Sequence, residues 1–301
     1  MKVLLFGGLG FIGANVTEAL GEAGHEVYIA HRPGSPARKP AIAEFVRRYA
    51  HLVEYIDPRL PLERVRPDAV VNLVGEYFGP DRAIREANLE FPRRLCEAAA
   101  GWRGKVIHIS AATVRGPVGE VIREEERHLE GISPVTSFDR YKAEGERTVA
   151  RCFGDWVVIR PVLVYGRFND HPEWVTLVKA ISRGVAPLMR SKLSVISARE
   201  LAKAVRASLS LSKEFFFATE CEPRPFSHFA TAVAKALGRR PLPVPVPTFL
   251  LGLAARELRG HLPFLGRAFS CEKMRKLLGW TPAPDFEREV AEMTYYITHK
   301  A

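Results

Sequence analysis

A chain of 301 residues that is 47% hydrophobic and 26% charged can bury a sizeable core, and needs no disulfide or metal to hold it together. Its formal net charge of +10 is uneven, because residues 235–276 carry nine Lys or Arg against two acidic residues. No zinc-finger, helix-turn-helix or aromatic–basic pattern accompanies that basic stretch, so a specific nucleic-acid role is set aside, and no run reaches the roughly 18 apolar residues that span a bilayer. The start, MKVLLFGG, ends its apolar run in glycines rather than at a cleavage site. It reads as a strand, and the expected location is the cytoplasm. Cys96, Cys152, Cys221 and Cys271 are far apart, with no CxxC and no nearby His pair. They are expected to be unpaired thiols in a reducing compartment, with no metal site.

In chain order, KVLLF is a short apolar run before glycines and predicts a buried strand. FIGANVTEALGEAG has helical periodicity and stops at Gly24, and HEVYIAHR predicts the second strand. VVNLVG at 70–75, KVIHIS at 105–110 and DWVVIRP at 155–161 predict further strands, with a helical stretch over 81–100. Apolar strands alternating with helices predict an α/β fold with a parallel sheet covered on both faces. In the second half WVTLVKAISRG, ARELAKAVRASLSL and FSHFATAVAKALG read as helices and EFFFAT as a strand. RRPLPVPVP predicts an extended, polyproline-like segment, and TFLLGLAAREL a short apolar helix.

FGGLGFIG places Gly7, Gly10 and Gly13 between a predicted strand and a predicted helix. Glycines there allow a tight turn, a close approach of backbone to a pyrophosphate, and close packing of helix on strand. Phe11 and Ile12 open the helix, whose free N–H groups favour phosphate. At the end of the second strand an acidic residue usually accepts from the ribose hydroxyls of NAD. His31 and Arg32 stand there instead. An Arg can pair with a 2′-phosphate, so NADP(H) is favoured over NAD(H), with a merely solvated Arg as the other reading.

These residues resemble the extended short-chain dehydrogenases/reductases, the NAD-dependent epimerase/dehydratase family. The resemblance runs through GGLGFIG (7–13), PDAVVNLVG (67–75), Asn88, IHISAATVRG (107–116), YKAEGE (141–146), VVIRPVLVYG (157–166) and EKMRKLLGWTP (272–282). It implies a Rossmann-type, doubly wound parallel sheet over residues 1–166 and 192–213. It also implies a smaller, mostly C-terminal substrate-binding unit over 167–191 and 214–301. Asp57 would lie near the adenine, Leu73, Val74 and Gly75 beside the cofactor, and Pro161 to Val164 near the nicotinamide. A nucleotide-diphosphate sugar would be the substrate, with Arg160, Arg167 and Arg190 suited to the diphosphate. Arg160 equally suits a carboxylate partner near the sheet end. The family often dimerises through helices that here are 81–100 and 137–152.

The family's chemistry uses a Tyr to move a proton, a Lys one turn later that lowers the Tyr pKa and holds the ribose, and a Ser or Thr on the same substrate oxygen. Spacing of four puts Tyr and Lys on one helix face. Lys142 matches the Lys, but Phe138 stands four residues before it and Ala111 stands at the Ser position. Acid–base assistance is worth roughly 10² to 10⁴ in rate, and an oriented hydrogen bond to a developing oxyanion about 10² to 10³. The usual chemistry is therefore expected to be impaired or altered. Tyr141 is a substitute about 60° round the helix from Phe138. Thr113, Ser110, His108, water or the substrate are the other proton sources. The alternative is a protein that binds NADP(H) without turnover, as a sensor or accessory subunit.

Overall fold

The computed structural model describes residues 1–246, 260 and 262–299. Seven parallel strands form the central sheet: β1 (Lys2–Phe6), β2 (Glu26–His31), β3 (Ala50–Glu54), β4 (Ala69–Asn72), β5 (Lys105–Ile109), β6 (Asp155–Pro161) and β7 (Glu214–Ala218). Their spatial order is β7-β6-β5-β4-β1-β2-β3. The chain therefore winds outward in both directions from β1, and the order reverses between β1 and β4. In open α/β sheets ligands bind in that crevice, at the carboxyl ends of the strands.

The strands are apolar because both faces are covered. Val3, Leu5, Val27, Ile29, Ile107 and Ile159 face one core, with Val16, Leu20, Leu201 and Val205 from the helices Phe11–Glu22 and Ala198–Ala207. Leu4, Phe6, Val70, Val106 and Val158 face the other, with Leu95 and Val149 from the helices Phe91–Ala98 and Ser137–Cys152. A third core, around Tyr165, Trp174, Phe229 and Met293, joins the helices Pro172–Ser182, Phe226–Ala236 and Phe286–His299.

Four features differ from the sequence expectations. Glu214–Ala218, expected in the smaller unit, is a strand of the main sheet, with Phe215↔Val158 and Phe217↔Arg160 in register. Phe215 packs in one core and Phe216 and Phe217 in the other, and only a strand covered on both sides buries all three. The helix Glu272–Leu278 also packs on this sheet, through the fully buried Met274. The proline run pairs in parallel with Val185–Leu188. Its non-proline N–H groups carry the pairing, Leu242 to Gly184 O and Val246 to Leu188 O, so Pro243 and Pro245 lose nothing by lacking theirs.

The stretch over 81–100 is broken into Asp81–Arg85, a π-helical turn at Glu86–Glu90, and Phe91–Ala98. Finally, the four cysteines are paired, Cys96 with Cys152 and Cys221 with Cys271, at Cα separations of 6.0 and 5.0 Å. Partners 56 and 50 residues apart are brought together by packing, which spacing in the sequence does not reveal. The apolar helix expected over TFLLGLAAREL lies outside the described residues. Among the described residues no helix is long and apolar enough to cross a membrane.

Candidate functional site

The turn after β1 is built on backbone proximity. Gly7 has φ +85°, and a Cβ on it would stand 2.8 Å from the carbonyl carbon of Leu73. A Cβ on Gly13 would stand 2.4 Å from Gly7 O and 2.6 Å from the Gly8 Cα, so the helix can approach the strand only as glycine. Gly10 precedes the helix Phe11–Glu22 in extended conformation and places no side chain over the N–H groups of its first turn. The strand end carrying Leu73, Val74 and Gly75 runs alongside, with Leu73 N–H donating to Phe6 O at 2.9 Å. These residues form one cradle at the crevice between β1 and β4, of a shape that suits a pyrophosphate on a helix N-terminus.

At the next strand ends, Arg32 follows β2 and is exposed. Arg38, on the short helix Ser35–Arg38, donates to Ser35 Oγ at 3.0 Å and brings a second guanidinium to this loop. Sequence reasoning missed Arg38, although the RPGSPARK run carries it. Asp57 is exposed beyond β3, and its carboxylate accepts from the Arg59 backbone N–H at 2.9 Å and from its guanidinium. Those bonds hold the Asp57 carboxyl below its ordinary value. Pro161 ends β6, while Val164 buries its side chain in the core and turns its carbonyl to Asn169 Nδ2 and Trp174 Nε1.

The catalytic-type helix is Ser137–Cys152. Thr136 caps it, accepting from Asp139 N–H while Asp139 Oδ2 accepts from Thr136 N–H, a reciprocal box readable in the sequence TSFD. The helix is thereby fixed at the end that carries Phe138. One turn on, Lys142 is buried and donates from Nζ to Ile109 O at 2.9 Å. Burial lowers its ammonium to about 8, with Glu146 opposing. A Cβ on Gly75 would lie 2.9 Å from Lys142 Nζ and 3.3 Å from Asn88 Oδ1, so strand end, lysine and asparagine converge.

Asn88 sits in the π-helical turn, and its amide donates to Glu76 O at 2.6 Å and Ile84 O at 2.8 Å. Its Oδ1 is buried with no hydrogen-bond partner among the described residues. Together with the Gly7–Gly13 cradle, that acceptor fits a dinucleotide with ribose hydroxyls to donate.

The substitute proton donors fare differently. Tyr141 donates to Asp81 Oδ2 at 2.7 Å on the surface, away from Lys142. Thr113 commits its hydroxyl proton to Asp139 Oδ1. Ser110 is buried, and its Oγ has no partner among the described residues. Its strand neighbour His108 is fully buried, with Nδ1 3.1 Å from Asn72 Nδ2. Val74 N–H donates to Asn72 Oδ1 at 3.1 Å, which orients the amide so that its NH₂ faces His108. Burial drives the His108 imidazolium down to about 3, and Lys142 adds to the effect, so the ring is neutral. None of these four is an acid poised at the Phe138 position.

Beneath the lysine lies a closed ion cluster. Arg160, with no exposed surface, donates to Glu146 at 2.9 and 2.7 Å and to Glu125 at 2.8 and 2.7 Å. His128 Nε2 lies 2.8 Å from Glu146 Oε2. Burial alone would raise the Glu146 carboxyl, but Arg160 and His128 override it and hold it at about 2. Arg160 thus takes the carboxylate-paired role rather than facing a ligand. Arg167 is likewise engaged, by Glu18 and by Asn15 Oδ1 at 3.2 Å, while Arg190 is exposed.

Above the lysine the cleft is lined by rings. Phe138 meets Tyr77 edge-on at 4.8 Å and 83°, and Tyr77 meets Phe78 at 4.8 Å and 86°. Phe78 meets His171 at 5.6 Å, and His171 meets Phe11 of the glycine loop at 5.0 Å. Five residues from four separate segments make one line across the mouth, and no local periodicity links them.

The NAD dependent epimerase/dehydratase family matches residues 3–204, and the chain belongs to it. Among curated proteins, the Arabidopsis thaliana chloroplast stem-loop binding protein of 41 kDa b is 24% identical over 94% of this chain and 76% of its own length. A 3-diazoavenalumate denitrifying reductase from a Streptomyces species is 26% identical over 94% of this chain and 96% of its own. Among solved structures, the Bordetella bronchiseptica enzyme WbmH in complex with NAD+ superposes with a TM-score of 0.79 at 17% identity, covering 99% and 98% of the two chains. The UDP-glucuronic acid 4-epimerase of Bacillus cereus, in complex with UDP-glucuronic acid and NAD, gives 0.77 at 16% identity, covering both chains fully. At these identities the structural likeness establishes the fold.

Proposed function

We propose that this member of the NAD dependent epimerase/dehydratase family binds NADP(H) in the crevice between β1 and β4, and does not perform proton-coupled carbonyl or epimerase chemistry by the Tyr–Ser route. One observation carries the reading. Phe138 stands one turn before the buried Lys142, on a helix whose first turn is fixed by its capping box, so no rotation brings a hydroxyl to that place. Ala111 independently lacks the second hydroxyl.

Gly7, Gly10, Gly13 and the first-turn N–H groups of Phe11 and Ile12 would hold the pyrophosphate. Lys142 and Asn88 would hold a ribose, and Asp57 would lie by the adenine. Arg32 and Arg38 support the phosphorylated cofactor, although the solved neighbours' titles name NAD. When bound, the cofactor supplies or accepts a hydride. The named reductases among the relatives favour hydride delivery over epimerisation. A nucleotide sugar, the ligand in some neighbours' titles, finds Arg160 and Arg167 already paired.

The same missing hydroxyls favour a second reading, nucleotide binding without turnover. A homodimer through the helices of 81–100 and 137–152 and a cytoplasmic location belong to the proposal too. Two disulfides in a cytoplasmic protein would fit a hyperthermophile.

The test is titration with NADPH and NADH, followed by nucleotide fluorescence and by thermal shift. Tighter binding of NADPH is expected. If neither nucleotide binds or protects the protein, the reading fails.

A further inference from the structure

The rings at the mouth of the cleft have carboxylates beside them. Glu76 Oε1 accepts the N–H groups of Tyr77 and Phe78 at 3.1 Å each, which sets a carboxylate against both rings. Glu173 lies 3.6 Å from His171 Nδ1, and its Oε2 is buried with no hydrogen-bond partner among the described residues. Acidic groups gather here in a chain whose net charge is +10. Aromatic faces carry the negative part of the ring quadrupole, and a cation within about 6 Å of a centroid is held by it. Each ring contact in the line is steeply angled, so it occupies at most one face of a ring. Phe138 serves this purpose where a phenol would serve proton transfer. The opposing charge is Lys142, whose Nζ lies 6.0 Å from the Phe138 centroid; it is held on Ile109 O and balanced by the Glu146 cluster.

We infer that the substrate of this site is an organic cation of the iminium class, seated on Tyr77, Phe78 and Phe138 with Glu76 and Glu173 as its counter-charges. The inference rests on the NADP(H)-binding reading above for its chemistry, though not for the cation site itself. The chemistry explains why the hydroxyls can be absent. A reduced nicotinamide supplies one hydrogen nucleus with two electrons and is itself oxidised; an iminium carbon takes it up as a new C–H bond while the C=N π pair retires to nitrogen, which becomes neutral. No proton is consumed. A ketone would need one proton and a partner for its developing oxyanion, the two things Phe138 and Ala111 do not provide.

The test begins with binding. Isothermal titration compares a cyclic quaternary ammonium salt with its neutral all-carbon isostere, with and without NADP+. The ammonium salt is expected to bind at least about tenfold tighter. Phe138→Leu and Tyr77→Leu are each expected to narrow that gap. Equal binding of the two compounds by the unsubstituted protein overturns the inference, whatever the fate of the variants. Next, the matching N-methyl iminium salt and the ketone of the same skeleton are offered with NADPH. Oxidation of NADPH by the iminium alone, at a rate flat across neutral pH, is expected. Reduction of the ketone but not the iminium, or of neither, overturns it. Failure of NADPH to bind defeats instead the reading on which the chemistry rests, and leaves the ammonium titration to stand or fall alone.

Discussion

In the cofactor half of the cleft, recognition is made of backbone. Gly7 and Gly13 let strand and helix approach to distances that no side chain permits, and the helix opens its N–H groups to the crevice. In the substrate half, recognition is made of side chains, and those are rings and a buried lysine rather than hydroxyls. The contrast teaches that holding a dinucleotide and moving a proton are separate physical tasks. Lys142 belongs to both in the family. Here it keeps its place on Ile109 O while the phenol it would activate is missing.

The sharpest way to break the cofactor half is Gly13→Val. Its Cβ would meet Gly7 O and the Gly8 backbone, so NADPH binding is expected to fall more than about a hundredfold, read by fluorescence titration. The substrate half stands on the ion cluster instead. Glu146→Ala leaves Arg160 buried with half its partners, and a loss of about 3–5 kcal/mol is expected in urea denaturation.

Acid stability probes the same cluster without mutation. Glu146, held at about 2 against an ordinary 4.5, contributes fully above the higher value and loses its contribution as pH falls toward the lower. His108, held neutral down to about 3 against an ordinary 6.5, acts with the same sign, since the unfolded chain takes up its proton first. Denaturation midpoints are therefore expected to fall steadily below pH 6.5, and a midpoint that rises on acidification would oppose this assignment. The smallest effect is Arg32→Glu, expected to weaken NADPH by about tenfold while leaving NADH nearly unchanged, because only the former carries the 2′-phosphate.

Much of the frame was legible because it is local. The strand–glycine–helix run at Gly7 to Gly13 has one physical use, and the i, i+4 rule identifies Phe138 from Lys142 alone. What stayed hidden depends on folding distant segments together. Arg160 meets Glu125 across 35 residues, and the cysteine pairs and the line from Phe11 to Phe138 likewise have no sequence period. The strand at Glu214–Ala218 was assigned to the smaller unit because it follows the last regular strand–helix unit, and only its double burial returns it to the sheet.

The central claim is that nucleotide binding survives here without the proton-transfer hydroxyls. The direct measurement is NADPH oxidation with a panel of neutral ketones, including a nucleotide keto-sugar, by the native protein and by Ala111→Ser/Phe138→Tyr. The native protein is expected to bind NADPH and leave the panel unreduced, while the double variant reduces it. Ketone turnover by the native protein at or above the rate of the double variant would contradict the claim.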